Sequence, residues 1–263
     1  MREGCGIHMA GRVLSVLMNK GGVGKTSLLT NLAALAVKDG KKVLLIDADS
    51  QANASQALGV EYSQITLYNV IMGAASPKDA IVEVMPGLSL LPSSGNLANL
   101  IFKIKPERFL HLLNFVEDLK EDFDLILIDT PPSLELIAGN ILKVSDQIII
   151  PFMPELFGVN GLINVIEVVN DFKANVNSEL EIVGIVGTMV DSSTKLHKEL
   201  LEQAYNYAEK QNIRMFKTLI PRTIQFPNAT AYFKRPATLL KRQTKKIKTY
   251  ELLYKELEDL IYE

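Results

Sequence analysis

Val13-Leu14-Ser15-Val16-Leu17-Met18-Asn19-Lys20-Gly21-Gly22-Val23-Gly24-Lys25-Thr26-Ser27 is the stretch that decides the fold. An apolar run ends in a glycine-rich turn, and a helical pattern opens from Ser27. Strand, loop and helix in that order are the context of a phosphate-binding loop. Glycines let successive backbone N–H groups turn inward around an anion, and the helix N-terminus adds its partial positive charge. On this reading Gly21, Gly22, Val23, Gly24 and Ser27 supply the cradle, Lys25 reaches the β- and γ-phosphates, and the Thr26 hydroxyl ligates Mg²⁺.

Outward from this loop, short apolar runs alternate with helical patterns. The expected strands are Val13–Leu17, Val43–Asp47, Leu88–Leu91, Leu125–Asp129, Gln147–Pro151, Ile182–Val190 and Phe216–Ile220. Several are almost unbroken Val, Ile and Leu, as in parallel strands buried on both faces. Thr26–Lys38, Pro106–Leu119, Gly158–Lys173 and Leu196–Gln211 suit crossover helices. This alternation predicts an α/β fold with a doubly wound, mostly parallel sheet flanked by helices. Residues 52–87 are the least regular part. The chain reads as a leader or cloning scar over 1–11, with Met9 as the natural start, followed by one domain over 12–263.

Two of the apolar strands end in acids. Val43-Leu44-Leu45-Ile46-Asp47-Ala48-Asp49 carries two carboxylates two residues apart, which point the same way if the backbone stays extended. Phe123-Asp124-Leu125-Ile126-Leu127-Ile128-Asp129 is a second such strand, and Pro131-Pro132 stiffens the loop after it. Strand C-terminal ends face the ligand crevice in open α/β sheets.

Together these segments resemble the deviant Walker A ATPases of the ParA/MinD superfamily, and most nearly the small ParA/Soj partition type. Counting back from Gly24, Asn19 stands where the general phosphate-loop motif has its first glycine, and the loop instead begins with a second lysine, Lys20. The segment Asp47-Ala48-Asp49-Ser50-Gln51-Ala52-Asn53 is similar to the family's D-x-D-P-Q-x-N, with Ser50 for the usual proline and Ala52 where glycine is common. Leu91-Pro92-Ser93, Ile150-Pro151 and Gly158–Leu162 also match family segments. The resemblance implies that Lys20 reaches across a homodimer interface to the partner's nucleotide. It implies that Asp49 positions the attacking water, Asp129 holds Mg²⁺, and Asp47 supports Mg²⁺ and the switch. It also implies ATP and Mg²⁺ as cofactors, non-specific DNA and a ParB-like centromere-binding protein as partners, and a cytoplasmic, nucleoid-associated location.

Two late segments bear on ligand and partner. Met189 and Pro221 follow late strands and resemble family adenine contacts; Met189 reads equally as a core residue. From Lys234 to Lys248 there are seven basic residues and no acid: Lys234, Arg235, Lys241, Arg242, Lys245, Lys246 and Lys248. They form either a solvated helix face or a patch that neutralises DNA phosphates without reading bases, with Arg222 and Lys195 as further members.

Composition narrows the alternatives. The 263 residues are 48% hydrophobic, with a formal net charge of −2, so a nucleic-acid surface must be local. The single cysteine, Cys5, precedes the phosphate loop, whereas the iron–sulfur relatives need several cysteines downstream of it. No stretch reaches the roughly 18–20 apolar residues of a membrane span. The tail Thr249–Glu263 has apolar residues at helical spacing and a mostly acidic polar side. Membrane-surface helices prefer a basic one, so it reads as a packed helix. A MinD-like positioning ATPase, or another deviant Walker A ATPase without DNA binding, is the alternative reading.

Overall fold

The computed structural model describes residues 10–108, 110–133, 136–241 and 243–262. Residues 1–9 of the leader, and Arg242 of the basic run, lie outside the described residues. In chain order the elements are β1 (Arg12–Val16), α1 (Lys25–Lys38), β2 (Val43–Asp47), α2 (Asn53–Ala57), α3 (Leu67–Ile71), α4 (Pro77–Ala80), β3 (Val82–Met85), β4 (Leu88–Leu91), α5 (Val116–Leu119) and β5 (Leu125–Asp129). They continue with α6 (Leu136–Val144), β6 (Gln147–Phe152), α7 (Gly158–Asn175), β7 (Glu181–Gly187), α8 (Lys195–Lys210), α9 (Gln225–Phe233) and α10 (Thr249–Tyr262).

The strands form one seven-stranded sheet in the order β3-β4-β2-β5-β1-β6-β7. Every pairing is parallel except β3 with β4. Period-2 alternation explains how strands without polar residues still sort their side chains. Along β2, Leu44 and Ile46 face the layer that contains α3 and α6, while Val43 and Leu45 face α1 and α10. Beyond β1, Ile148 and Ile150 of β6 pack with α7 and α8. Because the central strands are parallel, the C-terminal ends of β1, β2, β5, β6 and β7 share one edge of the sheet, and all the expected catalytic residues lie there. The tail forms α10, with Tyr250, Leu253, Tyr254, Leu257 and Ile261 buried in the α1 layer. No helix among the described residues is long and apolar enough to cross a membrane.

The structure departs from the sequence expectations in several places. Phe216–Ile220 is not a strand: only isolated bridges join Met215 to Ile185 and Pro221 to Val190. Between them, the Lys217 and Thr218 N–H groups donate to the Glu256 carboxylate of α10, at 2.9 Å each, which diverts them from a ladder. Pro106–Leu119 is not one helix but a 3₁₀ turn (Pro106–Arg108) and short α5. There the Leu112 N–H donates to the Asn140 side chain at 2.8 Å rather than to a preceding carbonyl. β3 lies outside the expected strands; it joins β4 through Pro86-Gly87, with Gly87 at φ 85° as such a turn requires. Helices α6 and α9 lie outside the expected set as well. The stretch 52–87 contains the three short helices α2, α3 and α4 in addition to β3.

Candidate active site

The phosphate loop leaves β1 and is pinned from both sides. Thr188, just past β7, donates its hydroxyl to the Val23 carbonyl at 2.8 Å, and Thr130, just past β5, donates to the Val16 carbonyl at 2.7 Å. Gly22 and Gly24 take φ values of 77° and 89°, which an L side chain resists. The Val23 side chain is in the core, so only its main chain lines the loop. The Lys25 ammonium is folded back, donating to the carbonyls of Met18 (3.2 Å) and Lys20 (3.0 Å). Burial lowers its pKa, and the charges of Asp129 and Asp49 act against that shift. A cation stored on main-chain carbonyls can be exchanged onto an incoming phosphate without crossing the protein.

The three acids converge beside it. Asp47 and Asp129 are register partners on β2 and β5 and are both fully buried. Asp129 Oδ2 accepts the Thr26 hydroxyl at 2.6 Å, while its Oδ1 is buried without a partner. Burial, then the neighbouring Asp47 charge, push its pKa up to about 8, against the Thr26 bond and the Lys25 charge. Asp47 is raised to about 6, chiefly by burial, and its oxygens accept from the Ser55 N–H, the Ser55 hydroxyl and the Asp49 N–H. Asp49 lines the cleft, and its Oδ1 accepts the Gln51 N–H at 2.9 Å. The expected common direction of Asp47 and Asp49 is therefore not realised as two ligands side by side: Asp47 holds the segment after β2, and Asp49 faces the cleft.

These residues fit Mg²⁺. A buried carboxylate oxygen with no partner, beside a hydroxyl already turned toward its sister oxygen, is the donor set for a hard cation. Among the described residues no group of three or more His, Cys, Asp or Glu could hold a metal alone.

The cleft is continuous. Its phosphate half, about 720 Å³, is lined by the loop, Thr26, Ser27, Asp49, Gln51, Asn53 and Pro132. Its other half, about 640 Å³ and mostly apolar, is lined by Met189, Ile220, Pro221, Ile224, Phe226 and Tyr250. Gly24, Ser27, Met189 and Pro227 border both. Met189 is only half-buried and sits at φ 51°, so it is a cleft wall rather than core. Phe226 and Tyr250 stack edge to face at 5.1 Å and form a floor that sequence reading missed, because they lie far apart in the chain on two different helices.

Lys20 is exposed at the mouth of the loop, and its ammonium pairs with Glu155, just past β6. Glu155 also went unnoticed in the sequence, although an acid after an apolar strand is the signal that revealed Asp129.

The basic run is not a helix face, which corrects the first of the two readings. Its described residues form loop with one 3₁₀ turn (Ala237–Leu239), and they divide. Lys234 caps α9 in the left-handed conformation, lines the phosphate half of the cleft and pairs with Glu61 at 2.9 Å. Arg235 lies with it in a separate groove beside β3 and β4. Lys245, Lys246 and Lys248 are exposed, and Lys246 donates to the Arg222 carbonyl at 3.4 Å, which joins Arg222 to this second group. Lys241 is exposed, and Lys195 pairs with Glu199 on its own helix.

Comparison with known proteins gives a consistent result. The AAA_31 family, described as "AAA domain", matches residues 11–182. The chain is 33% identical over 251 residues to the chromosome-partitioning ATPase Soj of Treponema pallidum, covering 94% of this chain and 97% of that protein. It is 32% identical over 252 residues to the sporulation initiation inhibitor protein Soj of Bacillus subtilis, covering 94% and 98%. Among solved structures, the cell division ATPase MinD of Pyrococcus furiosus aligns with a TM-score of 0.78 at 28% identity, over 95% of this chain and 99% of that one. Cobyrinic acid a,c-diamide synthase of Mycobacterium smegmatis, with bound ATP analog and magnesium, aligns with a TM-score of 0.80 at 27% identity, over 94% of each. With its phosphate loop, its strand-end acids and its seven-stranded sheet, and with these relatives matched over nearly the whole chain, the protein belongs to the ParA/Soj family of deviant Walker A P-loop ATPases.

Proposed function

We propose that this protein is a DNA partition ATPase that binds DNA non-specifically as an ATP-bound homodimer and releases it on hydrolysis. The observation that carries the reading is the exposed cluster Arg222, Lys245, Lys246 and Lys248 beside the base half of the cleft, on a chain otherwise akin to proteins named for chromosome partitioning. These cations neutralise phosphates without reading bases, and their closeness to the cleft lets nucleotide occupancy alter the surface.

The chain's own groups divide the chemistry. Loop N–H groups and Lys25 hold the phosphates, and Lys25 leaves the Met18 and Lys20 carbonyls to do so. Thr26 and Asp129 would hold Mg²⁺, with Asp47 in support. When bound, that ion neutralises charge on the β- and γ-phosphates. Asp49 orients the attacking water. Lys20 leaves Glu155 and meets the partner subunit's nucleotide, so dimerisation and hydrolysis both require ATP. ATP binds the dimer better than the monomer and shifts the population toward it. A ParB-like, centromere-bound protein accelerates hydrolysis, and the cycle runs in the cytoplasm on nucleoid DNA.

A second reading is a related ATPase without DNA binding, favoured by the likeness to MinD and to the diamide synthase. One experiment separates them: binding to a non-specific duplex with no nucleotide, ADP, ATP or a slowly hydrolysed analogue, at two salt concentrations. The partition reading expects binding only with ATP or the analogue. If about four phosphates are neutralised, affinity falls on the order of 100-fold for a roughly fourfold rise in salt. ATP hydrolysis with no DNA binding in any state overturns the partition reading and leaves the second.

A further inference from the structure

Leu91-Pro92-Ser93, at the end of β4, does not line the cleft, yet it is tied to the segment after β2 by a directional hydrogen-bond chain. The Ser93 hydroxyl donates to the Asp49 carbonyl at 2.6 Å. The Ser93 N–H donates to the Ser55 hydroxyl at 3.1 Å. The Ser55 hydroxyl donates its own proton to Asp47 Oδ2 at 2.7 Å. All four residues are buried, so water does not compete for these bonds. Both serine hydroxyls have a fixed sense, because a carbonyl and a carboxylate can only accept.

The chain closes a ring around Ala48. Asp47 stands at one end of the turn and the Asp49 carbonyl at the other, and Ser55 and Ser93 hold both. The neighbours of Ser93 are anchored as well: the Pro92 carbonyl accepts the Leu67 N–H at 2.8 Å, and the Ser94 hydroxyl meets that of Thr66 at 3.2 Å. The end of β4 is therefore a rigid post against which the Asp49 main chain is set.

We propose that Ser93 is a positioning residue for hydrolysis: with Ser55, it fixes the Asp49 main chain relative to Asp47 and so aims the Asp49 carboxylate. This rests on the reading that Asp49 orients the attacking water. Ser93 touches neither phosphate nor metal ligand side chain, so its effect falls on the chemical step rather than on nucleotide affinity. Its loss also orphans little, because the Asp49 carbonyl retains the Ala52 N–H at 2.9 Å. Small misalignment of a water-orienting group is expensive in rate even where it is cheap in stability.

The test is Ser93→Ala in the full chain, measured by steady-state ATP hydrolysis, fluorescent-nucleotide affinity and thermal melting, with Asp49→Ala as the reference. The expected result is kcat lowered about tenfold, as for one lost positioning bond, with KM and nucleotide affinity within about twofold. Ser93→Cys, of similar size but a weaker donor, should fall between wild type and Ser93→Ala, and it remains informative if the alanine variant folds poorly. Unchanged kcat in both variants overturns the proposal, as does a fall in kcat matched by weaker nucleotide binding and a lower Tm. If instead Asp49→Ala hydrolyses ATP at the wild-type rate, the water-orienting reading itself has failed, and that outcome is separate from anything seen at Ser93.

Discussion

Replacing Asp129 with asparagine should stabilise the nucleotide-free protein at pH 8, although it removes a residue proposed above to hold Mg²⁺. Asp129 is fully buried, next to Asp47, and one of its oxygens has no partner. Its pKa is raised from the ordinary 3.8 to about 8, first by burial and then by the Asp47 charge. A raised carboxyl pKa means that the folded state holds a proton that the unfolded chain has released. Stability is then highest near pH 4 and falls as pH rises, with the loss complete only above about 8. Each step of one in pH within that interval is worth at most about 1.4 kcal/mol. Titration shared with Asp47 spreads the loss over both groups, so from pH 5 to 8 we expect about 2–3 kcal/mol from Asp129.

The asparagine side chain carries no charge to desolvate and still accepts the Thr26 hydroxyl through its amide oxygen. In metal-free, nucleotide-free buffer, Asp129→Asn should therefore melt higher than wild type at pH 8, by about 5 °C or more at roughly 2–4 °C per kcal/mol. The gap should close toward pH 5, where wild-type Asp129 is itself protonated. Adding ATP and Mg²⁺ should raise the wild-type Tm and leave the variant almost unmoved. A variant that melts lower than wild type at pH 8, or a gap that does not change between pH 5 and 8, would refute the reasoning.

The remaining predictions concern the loop, the dimer and the DNA surface. Ala52 holds φ 54° at the start of α2, where a non-glycine residue costs about 1–2 kcal/mol. Ala52→Gly should remove that cost and lose about 0.4–1 kcal/mol to unfolded-state entropy, for a small net rise in Tm by calorimetry; a clear fall would show that the segment is not strained. Lys20→Ala should retain nucleotide binding through Lys25 but lose the ATP-dependent dimer in light scattering, together with hydrolysis. The pair Lys245→Glu and Lys246→Glu should lower ATP-dependent DNA affinity at least tenfold in a filter-binding assay, whereas Lys234→Glu, whose lysine is paired with Glu61, should do much less. Equal losses for the two would mean that the basic run acts as a single patch.

Where sequence and structure agree, the determining contacts are local. The phosphate loop, the β2 and β5 acids and the boundaries of β2, β4 and β5 depend on residues within a few positions of each other. Apolar strands ending in Asp are legible because strand and acid are contiguous. What stayed hidden depends on distant partners. Phe216–Ile220 has strand composition and keeps the Phe216 and Ile220 N–H groups on β7 carbonyls, but the Lys217 and Thr218 N–H groups go to Glu256, 39 and 38 residues away. Glu155 gains meaning only once Lys20 is beside it, and Ser93 only once β4 lies beside β2. β3 was legible in principle, since Pro86-Gly87 between two apolar runs is a hairpin signal.

The same division bears on how one sheet recurs in relatives named for chromosome partitioning, cell division and cobyrinic acid a,c-diamide synthesis. Most of the phosphate half of the cleft is built from the segments that follow β1, β2 and β5, which sit together by topology. The apolar half of the cleft and the surface beside it come mostly from the chain after β7. There Arg222 meets Lys246 across 24 residues, and the Phe226–Tyr250 floor is set by α10 packing against the sheet. Helix α10 is thus more than a terminal strut. It holds one wall of that apolar half at its first turn, next to the exposed Lys245, Lys246 and Lys248. On the function proposed above, a base seated here meets the wall that continues into the segment carrying those lysines, and the proposed ATP-dependent surface needs such a shared element.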